Sequence, residues 1–311
     1  MKRFIIKTLL LLLPLFIYAA IQEYVLRTVP NDYAYKNRWL TENSRNLKIL
    51  TLGSSHGFFG IQPTEFTKSA FNAGHVSQSL LFDEYIFDKF FPHMDSLEYV
   101  ILPISYFAIR GRGLQYGSEN WRVKNYTIYY DCPYFKYQPQ FALECYRFAP
   151  KEMLKAVFTD VTHRSCDSLG RGTDYTLESR SRDWSAAGPI AMKRHTKVNY
   201  SQSDVDKNLS HINHIVETCM NRDIKVILLT MPTYHTYYEV LDKDQLEQMI
   251  SCCEAIAQNH KNVIYLNWLK HPSFDEHDFF DADHLNELGA IKLTTLLNQE
   301  ISTQPCEKMR K

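Results

Sequence analysis

The feature that most constrains this chain is a set of short, nearly uncharged apolar runs separated by long amphipathic stretches. The runs are 47–53 (Leu-Lys-Ile-Leu-Thr-Leu-Gly), 99–104, 224–230 and 262–266. Gly53 closes the first, and Met231-Pro232 follows the third. Runs of this length suit strands buried on both faces of a parallel sheet. Helical spacing fills three later intervals. Residues 205–222 carry Leu209, Ile212, Ile215, Val216 and Cys219. Residues 243–260 carry Leu246, Met249, Ile250, Cys253 and Ile256, and residues 285–301 carry Leu288, Ile291, Leu297 and Ile301. Strands alternating with helices predict an α/β fold: a doubly wound, mainly parallel sheet flanked by helices. The sheet domain is expected over 46–302. A chain that is 45% hydrophobic and 23% charged builds a real core.

Residues 105–200 break the rhythm. They are rich in Tyr, Arg, Asp and Ser and read as a large insertion, with small helices of its own around 139–159. In open α/β sheets, ligands bind beyond the carboxyl ends of the strands, where insertions gather. The insertion is expected either to shape substrate binding or to act as a cap or partner surface. No internal repeat interrupts the chain.

The N-terminus carries a different signal. Lys2, Arg3 and Lys7 precede an uncharged run over 8–21 that includes five consecutive leucines, Leu9 to Leu13. A basic start before an apolar run directs a chain into or across a membrane. The run reaches spanning length if 4–6 and 24–26 join it and Lys7 snorkels. A cleaved signal peptide is the rival reading, but cleavage after Ala20 would set bulky Tyr18 where a small residue belongs. Residues 1–27 are therefore read as a retained anchor, 28–45 as a polar linker punctuated by Pro30, Asn31 and Asp32, and 303–311 as a polar tail. The formal net charge is zero, from 35 basic and 35 acidic residues, and no long basic run is present, which argues against nucleic acid as a partner. The seven cysteines form no CxxC pair, so zinc-ribbon spacing is absent. Export leaves room for one disulfide among Cys132, Cys145 and Cys166, and an odd count leaves a thiol over. Cys219, Cys252 and Cys253 read as small core residues, and Cys306 lies in the tail.

Two elements carry chemistry. The first apolar run leads into Ser54-Ser55-His56-Gly57. A strand ending in a tight glycine turn can present a hydroxyl at the sheet edge, close to backbone N–H groups able to stabilise an oxyanion. Small residues also follow strands simply because turns need them. Near the other end, Asp281 and His284 stand three residues apart before the last helix. At that spacing a carboxylate can hold imidazole Nδ1 and leave Nε2 to take a serine proton. Asp283 reads as a helix cap. Asp275, His277, Asp278, Asp281, Asp283 and His284 also leave a metal site open, although no His-Glu-x-x-His spacing accompanies them. His56 and His75 are candidates for contact near Ser55, and each also fits as a turn or surface histidine. Tyr234 and His235 follow the third run at the sheet's carboxyl edge, where substrate contact is expected.

Together, a serine after the first strand and Asp-x-x-His before the last helix resemble the SGNH/GDSL hydrolase superfamily. The chain looks closest to its membrane-anchored envelope acyltransferase branch, the DltD-like and alginate O-acetylation-like proteins. The likeness covers about 46–302 outside the insertion, and Asp283-His-Leu-Asn-Glu-Leu-Gly-Ala290 strengthens it. It implies an SGNH-hydrolase-like, flavodoxin-like three-layer fold with Ser55 as nucleophile and Asp281 and His284 as its partners. The chain departs from the pattern at three places. Gly53-Ser54-Ser55 replaces Gly-Asp-Ser. Asn72 and Gly74 are kept, but Ser77 stands at the usual oxyanion glycine. Pro103-Ile-Ser-Tyr106 lacks the block-three asparagine, so Ser105 is expected to donate in its place. Gly74, Ser77 and Ser105 are the expected oxyanion set, with His56, Tyr234 and His235 around the substrate.

The resemblance implies a membrane-anchored serine esterase or O-acyltransferase acting on envelope or extracellular glycan, with acetyl the favoured group and no cofactor. An acylated glycan or other ester would be substrate, and a membrane acyl-donor protein a partner on the transferase reading. The N-terminus would lie in the cytoplasm, the helix in the bacterial inner membrane and the domain in the periplasm. The alternative of another class is a non-catalytic scaffold on the same fold. A metal hydrolase using the acidic loop is a third reading.

Overall fold

The computed structural model describes residues 1–147 and 149–303. In chain order the elements are α1 (Lys2–Thr28), α2 (Asp32–Asn43), β1 (Ile49–Thr51), α3 (Ser55–Gly60), β2 (Ala70–Asn72), α4 (Leu80–Phe90) and β3 (Tyr99–Pro103). There follow α5 (Val123–Tyr129), α6 (Pro139–Ala142), α7 (Pro150–Phe158), α8 (Gly188–His195), α9 (Gln202–Met220) and β4 (Lys225–Thr230). The chain ends with α10 (His235–Tyr238), α11 (Lys243–Asn259), β5 (Val263–Asn267) and α12 (Glu287–Thr303). They fall into two compact units. One joins residues 1–38 to 118–164, and the other joins 39–117 to the chain from 165 onward.

The larger unit is built on a five-stranded, wholly parallel sheet in the order β2-β1-β3-β4-β5. The register pairs Ile49 with Ala70 on one side and Tyr99 on the other, and Tyr99 with Lys225. Side chains alternate across the sheet. Ile49, Tyr99, Ile101, Ile227 and Leu229 meet Leu293, Leu297 and Ile301 of α12 in one buried cluster. Leu50, Val100, Leu102, Val226 and Leu228 are buried on the opposite side, where α4 and α9 pack together. This is the doubly wound parallel architecture expected from the apolar runs. β2 is an addition: three residues, Ala-Phe-Asn, offer no run to read.

The helices start where their caps dictate. Ser201 Oγ accepts from Asp204 N–H at 3.2 Å while Asp204 Oδ2 accepts from Ser201 N–H at 2.9 Å, a reciprocal capping box for α9. Asp242 Oδ1 caps α11 through Gln245 N–H at 2.8 Å.

The smaller unit gathers α1 with α5, α6 and α7. Gln22 Nε2 donates to Arg147 O at 3.1 Å, and Cys145 N–H donates to Glu23 Oε2 at 2.8 Å. The Tyr33 ring meets the Tyr126 ring edge-on at 5.1 Å. The interval read as a linker holds α2, started by Asn31 Oδ1, which accepts from Ala34 N–H at 2.9 Å. The insertion is shared: 118–164 belongs to this unit, and 105–117 and 165–200 to the sheet unit. α1 is long and apolar enough to cross a membrane, the one such helix among the described residues. Among the described residues no disulfide forms, neither among Cys132, Cys145 and Cys166 nor among Cys219, Cys252 and Cys253. Cys306 and most of the expected tail lie outside the described residues.

Candidate active site

The end of β1 turns sharply. Gly53 sits at φ 105°, a conformation glycine adopts freely and L side chains rarely do. A Cβ there would also stand 3.1 Å from Pro103 Cδ. The turn is fixed from below by Asp83 of α4, whose buried carboxylate accepts from Gly53 N–H at 2.6 Å and from Gln78 Nε2 at 2.7 Å. Burial pushes the Asp83 carboxyl up to about 6. Ser54 then precedes α3, and Ser55 opens its first turn.

The histidine arrives from the loop before α12. Asn286 anchors that loop. Its Nδ2 donates to His277 O at 2.7 Å, while its Oδ1 accepts from Leu288 and Gly289 N–H at 2.9 and 3.0 Å. Asn286 therefore caps α12, the role expected of Asp283. The loop sets His284 Nε2 2.8 Å from Ser55 Oγ. His284 Nδ1 lies 3.0 and 3.2 Å from the two Asp281 oxygens. Asp281 Oδ1 also accepts from the N–H groups of Asp283 and His284 at 3.0 and 2.8 Å, which fixes the carboxylate against the ring.

A second carboxylate lies beside the first. Asp283 Oδ2 is 3.4 Å from His284 Nδ1, and its side chain is 1% exposed against 24% for Asp281. The same oxygen is 3.4 Å from His56 Nε2, 3.7 Å from His195 Nδ1 and 4.0 Å from Arg194 Nη2. An ionised carboxylate can only accept, so His56 Nε2–H donates to it. His56 Nδ1 is then an acceptor for Ser105 Oγ–H at 3.0 Å, and Ser54 Oγ–H supplies Ser105 Oγ at 3.2 Å. His195 Nδ1 lies 2.8 Å from Tyr237 Oη. Burial pushes His195 down to about 3 and lowers His56, so both rings are neutral. Burial also raises the Asp283 carboxyl, but the positive charge of His284 and the hydrogen bond from His56 outweigh it and hold it well below the usual carboxylate range. At His284 burial opposes the charge, and Asp281 and Asp283 together overcome it, lifting the imidazole to about 9.

The other sequence candidates fall in different places. Gly74 was expected to offer its N–H to an oxyanion, but that N–H donates to Asn72 Oδ1 at 3.0 Å. Ser105 is buried, and its hydroxyl is spent on His56, which corrects its reading as a substitute donor. His56 faces Asp283 and Ser105 rather than the substrate side. Ser77 sits at φ 61°, the left-handed region that a glycine would occupy freely, and its N–H has no partner among the described residues. Its loop is tied to the serine turn by His75 N–H, which donates to Gly53 O at 3.1 Å. The His75 side chain is buried. Tyr234 packs on Trp184 and Phe279 with centroids 4.6 and 5.6 Å away. His235 is exposed and turns to Glu239 at 3.5 Å.

The acidic loop does not converge on one point. Asp275 accepts from His277 N–H at 2.9 Å, and Asp278 pairs with Lys292 at 2.5 Å. Among the described residues, only His56–Asp283–His284 and Glu84–Asp88–His214 bring ligand atoms within 4.8 Å of one another. A metal at the first would draw on His284, whose Nδ1 already faces Asp281.

Sequence reasoning missed Asp83, His195 and Tyr175. The Tyr175 ring is sandwiched between Phe59 and Phe280, with centroids 3.7 and 3.9 Å away, and stands edge-on to His284 at 5.3 Å. The insertion brings it there through Gly172 N–H, which donates to Phe58 O at 3.0 Å, and Arg171 Nε, which donates to Phe59 O at 3.1 Å.

No protein-family profile matches the sequence, and no curated protein is significantly similar to it. Among solved structures, the chain is similar to a GDSL-like lipase from Bacteroides thetaiotaomicron, at 15% identity over 87% of this chain and 98% of that one, with a TM-score of 0.42. It is likewise similar to an acylhydrolase candidate from Bacteroides fragilis, at 13% identity over 85% of this chain and 94% of that one, with a TM-score of 0.42. A candidate lipolytic protein of the G-D-S-L family from Desulfitobacterium hafniense matches at 12% identity over 82% and 99%, with a TM-score of 0.40. Likeness this distant transfers no activity and no residue role to the chain.

Proposed function

We propose that the chain is a serine esterase or O-acyltransferase, with Ser55 as nucleophile, His284 as general base and Asp281 as the carboxylate that orients it. The observation that carries this reading is the continuous line Ser55 Oγ–His284 Nε2–His284 Nδ1–Asp281. His284 takes the Ser55 proton as Oγ adds to an ester carbonyl carbon. The N–H groups of Ser55 and Ser77 are the donors for the resulting oxyanion. Collapse breaks the ester bond, and His284 gives its proton to the departing alcohol. A sugar hydroxyl or water then loses its proton to His284 and attacks the acyl carbonyl; as the bond from that carbon to Ser55 Oγ breaks, His284 returns the proton to Oγ. Acetyl is the favoured acyl group, and an envelope or extracellular glycan ester the favoured substrate. Nothing in the proton path separates transfer from hydrolysis, since both use the same three side chains.

In this reading α1 anchors the chain in a bacterial inner membrane with its basic end in the cytoplasm, and a membrane acyl-donor protein is the partner for transfer. The length and apolarity of α1, and Lys2, Arg3 and Lys7 before it, support the anchor. The test is labelling of the full chain in detergent with a fluorophosphonate probe, beside turnover of p-nitrophenyl acetate. Labelling that disappears in Ser55→Ala supports the activated serine. A folded protein that neither labels nor turns over ester favours the scaffold reading. That reading draws on the engagement of Gly74 N–H and Ser105 Oγ elsewhere.

A further inference from the structure

Helix α7, in the smaller unit, has two apolar faces. Met153 and Ala156, three residues apart, are half-buried, and the helix packs on α1. On another side Leu154, Val157 and Phe158 are 50%, 54% and 77% exposed. Offsets of three and four place these side chains on one stripe. Lys151 and Lys155 are exposed along the same helix and outnumber Glu152. Tyr137 and Tyr146, in the same unit, are 86% and 56% exposed.

The neighbour of α7 is α1. Its Leu9, Leu11, Leu15, Phe16 and Ile21 are themselves exposed large apolar residues. The polar end of α1 is recorded by its bonds. Glu23 accepts from Cys145 N–H, Gln22 Nε2 donates to Arg147 O, and Arg27 Nη2 donates to Ala142 O at 3.3 Å. The charged pair Glu23 and Arg27 marks where a spanning helix leaves the hydrocarbon, since ionised side chains inside it are costly. α7 begins three residues after Arg147, so it starts at that level.

We infer that α7 is an interfacial helix, lying at the headgroup–acyl boundary of the bilayer that α1 crosses, with Leu154, Val157 and Phe158 turned to lipid. The inference rests on the reading of α1 as a membrane anchor. Lipid is the occupant because α7 packs on α1, whose own large apolar side chains are exposed along most of its length. The flanking lysines suit anionic headgroups, and exposed tyrosines suit the same depth. The short helix, about 13 Å long, is too short to span and long enough to lie flat.

The test uses the full chain in nanodiscs of phosphatidylethanolamine and phosphatidylglycerol, with acyl chains brominated near the headgroup or near the tail end. Phe158→Trp and Phe16→Trp are compared with the parent, whose four native tryptophans set the background. Both positions are exposed, so neither change burdens the fold, and circular dichroism with a thermal melt reports on folding. The expected result is blue-shifted added emission from Phe158→Trp, lost mainly to shallow bromines, while that from Phe16→Trp is lost to deep ones. Unquenched Phe158→Trp beside quenched Phe16→Trp overturns the interfacial helix and leaves the anchor standing. If neither is quenched, the anchor reading fails and takes this inference with it.

Discussion

At His284 a single ring nitrogen faces two carboxylates of different character. Asp281 is partly exposed and makes the closer contact, whereas Asp283 is buried among His56, His195 and His284. In the proposed mechanism, attack by Ser55 needs the neutral imidazole, and both carboxylates favour the charged one. Ester turnover should therefore rise with pH through a midpoint above 6.5, the ordinary histidine value, towards about 9. Asp283→Asn removes one negative charge and should move that midpoint down, while Asp281→Asn should depress turnover at every pH by freeing the ring. A pH–rate series on the two variants checks both. The sign for stability follows from the same raised value. The contribution of His284 is full below 6.5 and is lost as pH rises through about 9. The urea midpoint of the parent should fall across that window, and that of His284→Gln should fall less. Ser55, Asp281 and His284 were legible because a strand-turn serine and an Asp-x-x-His spacing are local patterns. The Asp283 cluster was not, because it joins residues 56, 195 and 283, which only the fold brings together. The engagement of Gly74 N–H was hidden for a similar reason. Whether Gly74 N–H is free depends on where the Asn72 side chain points.

Among the elements, the β1–α3 turn does the most for the site. Gly53→Ala should cost about 1–2 kcal/mol, because its φ of 105° is strained for any L side chain and the Pro103 ring is close. Asp83→Ala strands the buried Gly53 N–H and the Gln78 amide, and should cost about 1–3 kcal/mol. Asp83→Asn keeps an acceptor for Gly53 and removes a charge that burial disfavours, so it should cost less. Denaturant melts rank the three, and ester turnover should follow the ranking, since the turn carries Ser55. Strands β1, β3 and β4 could be read from apolar runs because both of their faces are buried, and the half-buried edge strand β5 because its run Val-Ile-Tyr-Leu is apolar all the same. β2 pairs only with β1 and lasts three residues, too short for a pattern. α2 was read as linker because Asp-Tyr-Ala-Tyr-Lys-Asn-Arg-Trp-Leu-Thr-Glu-Asn is polar almost throughout. Its packing shows only in three dimensions: Leu40 is fully buried, and Trp39 stacks on Phe71 at 3.9 Å.

For the molecule as a whole, the anchor reading predicts behaviour in membranes that a soluble esterase would not share. The chain should stay with sedimented membranes through high-salt and alkaline washes and be released by detergent. Release by salt alone would count against α1 as a spanning helix. The apolarity of α1 is plain in the sequence, but nothing there hints that 118–164 folds with it, since that segment carries no long apolar run and its ties to α1 are single polar side chains and the short face of α7. This discontinuity has a consequence in time. Between the end of α1 at Thr28 and the start of its companion segment at residue 118 lie some 90 residues of other chain. A ribosome adding about 5–20 residues per second needs on the order of 5–20 s to make them. Through that interval α1 is without its companion segment, so on the anchor reading its entry into the bilayer is decided by its own apolarity, and the later segment docks onto a helix already in place.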